Sequence, residues 1–140
     1  MAAPTIETAI WLALKTRVQA IVLSPVLPVA WPNEAFSKPN TGGYLRVTHV
    51  PNMNRRLFIG SADPHQRLGL LQVDVFMAKN QNVAVALEVA GKVAAHFPAD
   101  LRMAYGDVTV RVQSAPTVAQ PIDDDTHLLV PVTVPVECFA

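Results

Sequence analysis

A few histidines, one cysteine and a run of aspartates are the residues of this chain whose side chains could carry chemistry. Cys138 has no base near it in the sequence, so we interpret it as an apolar packing residue and not as a nucleophile. No P-loop, GxGxxG, HExxH or GxSxG motif is present. The histidines have no spacing that would place two of them on one metal ion: His49, His65, His96 and His127. We therefore expect no catalytic residues, no metal and no cofactor.

Two groups of like charge remain. The acidic group could bind a hard cation, but it lacks the glycine and the spaced ligands of a calcium loop, so we interpret it as a solvated loop: Asp123, Asp124 and Asp125. The basic group has no interleaved aromatic residues, which favours ionic subunit contacts over nucleic-acid binding: Arg55, Arg56 and Arg67. Opposite charges on two segments of one protomer suit a head-to-tail contact in a ring.

The composition favours a protein that buries surface against other subunits. Its 140 residues fit a single domain over 1–140. Only 16% are charged, below the roughly 25% typical of soluble domains. The net charge of zero gives no general attraction to nucleic acid, and we expect no sequence-specific nucleic-acid binding. One cysteine excludes an internal disulfide, and no signal peptide or membrane span is recognisable. We therefore expect a soluble protein made in the cytosol, with no membrane partner.

Two helices are predicted. The first covers 5–23, begins at the N-cap Thr5 and buries one face at helical spacing: Ile6, Ile10, Leu14, Val18 and Val22. The second covers 83–97, begins after the N-cap Asn82 and has one continuous polar stripe: Glu88, Lys92 and His96. Because this second helix is apolar on nearly every other side, it must be covered on more than one side. A chain of this length can hardly do that alone, which indicates self-assembly.

Trp11 lies among the polar residues of the first helix, with Thr8 and Lys15. A tryptophan there is either covered by a loop of its own protomer or contacts a partner. The sequence favours neither alternative.

The remaining segments alternate as strands do. Predicted strands cover 26–31, 44–50, 66–77, 101–104, 108–112 and 128–138. The core side of the long strand should carry every second residue: Gly69, Leu71, Val73, Val75 and Met77. In the last strand Pro131 and Pro135 share one parity, so one side of that strand cannot form a full ladder. We predict an edge strand there, or one broken by bulges.

The order of these elements predicts an α+β fold, with a mainly antiparallel twisted sheet and an N-terminal and a central helix packed on it. Three long connections separate the elements: 32–43, 52–65 and 114–126. Long irregular segments are uncommon in small domains unless they bind something. They therefore indicate surfaces that become ordered on assembly.

The run Arg67-Leu68-Gly69-Leu70-Leu71-Gln72-Val73-Asp74-Val75-Phe76, with the alanine- and valine-rich helix that ends at His96-Phe97, resembles the tail terminator and tail-completion family of long-tailed bacteriophages. The final run Asp125-Thr126-His127-Leu128-Leu129-Val130-Pro131 and the early Trp31-Pro32 pair are similar to the same family. The resemblance covers most of the chain. One departure is the link 79–82, which has no glycine where relatives often carry glycines.

The resemblance implies a structural role in the virion tail, at the neck, with assembly in the cytoplasm of the bacterial host. Such proteins form a homohexameric ring that binds the last ring of the tail tube, stops its polymerisation and presents a surface to the head-side connector. The implied partners are other copies of this chain, the tail tube protein and the connector protein. The segments 52–66 and 114–126, together with Trp11, are the candidate contact regions.

Two other interpretations stay open. One is another neck component, such as a head–tail adaptor ring, which shares size and composition with a terminator. The other is a small α+β ligand-binding domain, which needs convergent polar groups in a pocket. Its candidate groups lie on separate predicted elements: His49, Asp74 and Glu88.

Reversing the charge of both Arg55 and Arg56 should weaken assembly, because an ionic subunit contact would become repulsive. The length and number of tails formed with the double variant measure this effect. Normal tails would remove these two arginines from the contact regions.

Overall fold

The structure, a computed structural model, describes residues 4–23, 26–39, 42–124 and 126–140. Within these ranges the helices are α1 (Ile6–Gln19) and α2 (Val83–Ala95). The strands are β1 (Val29–Ala30), β2 (Tyr44–Arg56), β3 (His65–Ala78), β4 (Arg102–Tyr105), β5 (Val108–Val112), β6 (Thr117–Val118), β7 (Ile122–Asp123) and β8 (His127–Phe139). They form one sheet in the order β1–β2–β3–β8–β5–β4, with β6 and β7 also paired to β8. The pairing of β1 with β2 is parallel and the others are antiparallel. The predicted α+β fold is confirmed.

The centre of the sheet is the ladder between β3 and β8. It runs without a register shift from Gln66 opposite Phe139 to Ala78 opposite His127. Because side chains alternate between the two faces of a strand, this register gives the sheet two distinct faces. The inner face carries the predicted core residues of β3 and the even-numbered valines of β8, and these residues are buried: Leu71, Val73, Val75, Val130, Val132 and Val134.

Both helices cover the inner face. Ile10, Leu14 and Val18 of α1 belong to the same hydrophobic cluster as Ala90 and Val93 of α2. Burial of side chains of this size contributes roughly 1.5–3 kcal/mol each. The fold is therefore a sheet covered by helices on one face only.

The helices begin as predicted, but α1 ends earlier. Thr5 caps α1 by accepting a hydrogen bond from the Thr8 amide, and Asn82 caps α2 by accepting one from the Ala84 amide. The predicted buried position Val22 is wrong, because α1 stops at Gln19 and Val22 is 89% exposed.

The C-terminal ends of α1 and α2 cap each other. The Arg17 guanidinium donates to the carbonyl of His96 through Nε at 3.1 Å and Nη2 at 2.7 Å. In return His96 Nε2 donates to the carbonyl of Arg17 at 2.7 Å. The last carbonyls of a helix lack their usual partners within the helix. Arg17 binds such a carbonyl at His96, and His96 adds a second donor to the Arg17 carbonyl, which also accepts from the Ala20 amide at 3.1 Å. This reciprocal pair is a physical reason for both helices to end where they do.

Strand β2 is longer than predicted. Pro51 does not end it; the register shifts by one residue between Pro51 and Met53, and pairing with β3 continues to Arg56 opposite His65. An edge strand tolerates a proline next to a bulge because the missing amide proton faces away from the ladder. The predicted connection 52–65 is therefore reduced to residues 57–64, which we call the tip.

Strand β8 is not an edge strand, so that alternative was wrong. Its second side pairs with β5, β6 and β7 in three short pieces. The carbonyls of Pro131 and Pro135 accept hydrogen bonds from the amides of Ala119 and Gln113. The prolines thus face the interrupted side, as their shared parity required. The predicted loop 114–126 contains β6 and β7, which pair with β8 along that side.

The outer face of the sheet holds two buried carboxylates. Asp74 is 2% exposed, accepts two hydrogen bonds from Arg46 at 2.8 and 3.1 Å and a third from Gln72. Glu137 accepts from Arg111 and from Gln66. Paired in this way, a buried carboxylate avoids most of its desolvation cost.

One end of the outer face is covered by aromatic rings. Tyr44 stacks on Phe76 with ring centroids 4.4 Å apart, and Phe36, from the segment before β2, packs on Tyr44. The buried His127 meets both rings edge-on.

In the described ranges, no helix has both the length and the apolar character needed to span a bilayer.

Replacing Arg46 with alanine should destabilise the fold by about 3 kcal/mol, because the buried Asp74 carboxylate would lose its cation. Urea unfolding at neutral pH measures this loss. The double variant Arg46→Ala with Asp74→Asn should recover part of it, since the uncompensated charge is gone. Equal stability of Arg46→Ala and the wild type would contradict the assignment.

Candidate functional site

Arg55 and Arg56 lie at the end of β2, beside the tip. Arg55 is exposed and belongs to the outer face, because its partner in β3 is Gln66. Arg56 donates to the carbonyls of Phe58 and Ile59, which fixes the backbone of the tip. Of these two predicted contact residues, Arg55 has no ion pair among the described residues, whereas Arg56 holds the shape of a loop.

Arg67 does not join them. It belongs to the inner face, where its Nη1 lies 3.1 Å from the carboxylate of Glu7 and its Nε donates to the carbonyl of Ala140. It ties β3 to the first turn of α1. The three arginines therefore do not form one basic patch.

The acidic run lies at the other end of the sheet. Asp123 is exposed on β7, and Asp124 lies 3.8 Å from Lys38. Asp123 also lines a shallow depression with Lys79 and Asn80, just before α2. Asp125 lies outside the described residues.

The basic and acidic segments are far apart. Asp123 is opposite Leu128 of β8, and Arg55 is connected through Gln66 to Phe139 at the other end of the same strand. Eleven residues of extended chain span about 37 Å. Because the two groups of opposite charge lie at opposite ends of the sheet, they cannot pair within one protomer. They stay available for pairing between neighbouring copies, as a head-to-tail contact requires.

Trp11 is covered within its own protomer. It stacks on His49 with centroids 6.2 Å apart and meets Trp31 edge-on at 6.2 Å. Lys15 in turn lies over the ring of Trp31. The structure thus favours the first alternative for Trp11, a cover supplied by its own chain, and its role in a partner contact stays a prediction.

His127 and Cys138 have the surroundings of residues that stabilise the fold. His127 is buried and bonded through Nε2 to the carbonyl of Gly42 at 2.8 Å and through Nδ1 to Thr126 at 2.7 Å. Burial raises the pKa of the Cys138 thiol, which makes it a poorer nucleophile. Among the described residues no group of three potential ligands could hold a metal ion.

A groove of about 340 Å³ lies on the inner face beside the N-terminal end of α1. It is lined mainly by apolar groups, with His49. Of its charged residues, Glu7 and Arg67 pair with each other, and Glu137 is bound to Arg111. The other candidate groups of the ligand-binding hypothesis lie elsewhere: Asp74 is bound on the outer face and Glu88 is exposed on α2. The three groups do not converge, so the geometry gives that hypothesis no support.

An uncovered apolar surface occupies the outer face near the tip. Val50, Leu70 and Pro135 are direct cross-strand neighbours, and Met53 and Leu68 form the next row. Such neighbours have Cβ atoms about 4.5–5.5 Å apart, so the patch is continuous. We call it the arm surface: Val50, Met53, Leu68, Leu70, Pro135 and Phe139. Four of these side chains are classed as exposed: Val50, Met53, Leu70 and Phe139.

The tip extends this apolar character. Leu57, Phe58 and Ile59 are all exposed, and Ile59 is 96% exposed. Because Arg56 fixes the backbone at these residues, they form an ordered projection. Contiguous exposed apolar residues mark interaction sites in most soluble proteins.

A second uncovered surface lies on α2. We call it the helix surface: Val83, Ala84, Leu87, Gly91 and Ala95, all of them exposed along one side of the helix. The predicted incomplete cover of this helix is confirmed for the isolated protomer.

Only one of these surfaces has a signal in the sequence. The all-round apolar character of α2 identified the helix surface. The sequence contains no comparable signal for the arm surface, because residues 52–56 resemble a connection until the pairing of Met53 with Leu68 is known.

Comparison with known proteins agrees with this structural picture. A family model described as phage tail terminator protein matches residues 9–135. A solved structure is similar over 92% of each of the two chains, with 32% sequence identity and a TM-score of 0.74. No significant match was found among curated proteins.

Stability should fall as the pH drops below about 6.5. Burial lowers the pKa of His96 and of His49 below the ordinary value of 6.5. As the pH falls, the unfolded chain therefore binds protons at a higher pH than the folded chain does. The resulting stability is present above the unfolded pKa and is lost as the pH falls through the folded pKa. Thermal unfolding between about pH 8 and pH 5 measures the loss.

The variant His96→Gln is the matched control, since its amide can still donate to the Arg17 carbonyl but does not titrate. Its stability should decrease less with falling pH than that of the wild type. An identical decrease would show that His96 contributes nothing to it.

Proposed function

Because this chain belongs to the phage tail terminator family, we propose that it forms a ring that caps the tail tube, stops its polymerisation and presents the surface to which the head attaches. The partners are other copies of the chain in a homohexamer, the tail tube protein and the head-side connector. Its place is the neck of the virion tail, and it assembles in the cytoplasm of the bacterial host. The family is structural, and we assign the protein no enzymatic role.

The observation that carries this proposal is the grouping of exposed apolar residues. They lie on the arm surface, the tip and the helix surface, whereas His96, His127 and the buried carboxylates are hydrogen-bonded within the protomer. Among the described residues no buried side-chain polar atom lacks a hydrogen-bond partner. The protomer is thus internally complete in its polar groups and incomplete in its apolar cover, which suits a component of an assembly.

The mechanism is steric. A ring with cyclic symmetry has two unlike faces, because no two-fold axis exchanges them. One face matches the open end of the tube, and the other does not offer that match to a further tube subunit. Growth ends because the outer face of the bound ring differs from the tube end to which the ring binds.

The tip is our assignment for the contact with the tube. It projects beyond the last pair of the β2–β3 ladder, Arg56 opposite His65. Arg56 holds the backbone that carries its three apolar side chains before any partner arrives, which lowers the entropy cost of binding. The segment 114–126 is the candidate for the connector side.

Ile59→Asp tests this assignment. At 96% exposure the residue contributes almost nothing to the fold, so stability should stay within about 0.5 kcal/mol of the wild type. Binding to purified tail tubes should be lost, because a charge would enter an apolar contact. Val22→Asp, at 89% exposure on the segment after α1, is the matched control and should bind normally.

The function itself is tested by deleting the gene from the phage or prophage that carries it and measuring tails by negative-stain electron microscopy. We expect tubes of uncontrolled length and free heads, with uniform tails restored by the wild-type protein. Uniform tails in the deletion would refute the terminator assignment. Binding to the portal but not to the tube would favour an adaptor ring.

A further inference from the structure

We propose that neighbouring subunits of this protein contact each other through the arm surface of one copy and the helix surface of the next. This inference deepens the proposed function by assigning the contact that builds the ring. The occupant of both surfaces is a second copy of this chain.

The positions of the two surfaces support a head-to-tail contact. The arm surface is on the outer face, whereas α2 lies on the inner face. They are also at opposite ends of the sheet, because α2 follows the turn 79–82 after Ala78, and the arm ends at the tip. A two-fold contact of arm with arm, or of helix with helix, would bury one surface twice and leave the other exposed on both copies. One head-to-tail contact buries both surfaces on every subunit of a closed ring.

The charges beside the two surfaces allow an ion pair between neighbouring copies. Arg55 borders the arm surface: it lies two residues after Met53 on the same face of β2, and Gln66 of β3 separates it from Phe139. Glu88 borders the helix surface, and Asp123 lies beside the turn that leads into α2. Among the described residues none of these three charges has an ionic partner within 4.0 Å. Lys92 and Lys79 lie near these two carboxylates, so the helix side carries charges of both signs. Arg55 of one copy can pair with Glu88 or Asp123 of the next, whereas contact of two arm surfaces would bring two Arg55 side chains together.

Gly91 is an independent observation on the helix surface. Glycine in a helix interior is unfavourable relative to alanine, so a physical reason for it is expected. A Cβ built at Gly91 meets no atom within 4 Å, and the protomer therefore supplies no reason. Close approach of another chain at this position would supply one.

The geometry has a consequence for the ring. The arm surface of one subunit and the helix surface of its neighbour must meet at one height along the ring axis. Because they lie at opposite ends of the strands, the long strands β2, β3 and β8 must be inclined to that axis.

Cross-linking tests the pairing directly. Two proteins are made, one with Leu70→Cys on the arm surface and one with Leu87→Cys on the helix surface, and a short bismaleimide is added to each alone and to the mixture. We expect covalent dimers in the mixture and none in either protein alone. The wild type controls for Cys138, which is buried. Cross-links within Leu70→Cys alone would show a two-fold contact and overturn the proposal.

The same pair is tested in tails purified from cells that produce both variants, because a ring formed only on the tube would escape detection in solution. A missing Leu70–Leu87 product in both concentrated protein and tails would overturn the proposal. If those tails were nevertheless of uniform length, the terminator function would stand and the subunit contact would lie elsewhere.

Gly91→Gln gives a second measurement. Glutamine is a better helix former, so the midpoint of thermal unfolding of the protomer should rise. Its side chain should obstruct the neighbouring copy and weaken association about tenfold or more in light scattering or sedimentation. Lys92→Gln, on the polar stripe of the same helix, is the matched control and should associate as the wild type does. Equal association of all three proteins would contradict the proposed contact.

Discussion

The long ladder between β3 and β8 is the constraint on which the rest of the structure depends. It fixes which side chains of both strands face the helices and which face outward. The inner valines then require cover, which α1 and α2 supply, and the outer carboxylates require cations, which Arg46 and Arg111 supply. Because Pro131 and Pro135 lack amide protons on the second side of β8, no long strand can pair there. The short strands β5, β6 and β7 pair with that side instead. A sheet with one interrupted side and one long arm results.

The outer face is divided into two halves with different needs. Near β7 it is closed by Tyr44, Phe76 and His127 under the segment that contains Phe36. Near the tip, apolar side chains of the same strands have no cover. At roughly 25 cal/mol per Å² of apolar surface removed from water, the second half is a store of binding free energy that the isolated protomer does not use. This asymmetry is what a subunit needs if it is to fold alone and then associate.

The sequence predicted the parts of this fold that follow from local periodicity. The alternation through Val73 and Val75 in β3, and through Val130 and Val132 in β8, was sufficient to assign the core face. The failures came where distant partners decide the outcome. Pro51 looked like the end of a strand because a bulge cannot be recognised without the register of its partner. Val22 kept the helical spacing, but α1 had already ended at the reciprocal contact of Arg17 with His96. Arg67 was grouped with Arg55 because charge alone does not show that Glu7, 60 positions away, is its partner.

The position of β8 in the chain has a consequence for biosynthesis. Strand β3 is made some sixty residues before β8, so only its β2 side can pair in a nascent chain until residues 127–139 have left the ribosome. Loop closure over such separations is slow, and unpaired strand edges are prone to aggregation. The arm surface needs the same late strand, because Pro135 and Phe139 complete it. The last strand therefore completes both the core and the arm surface, and an unfinished chain presents only the part of that surface that β2 and β3 form.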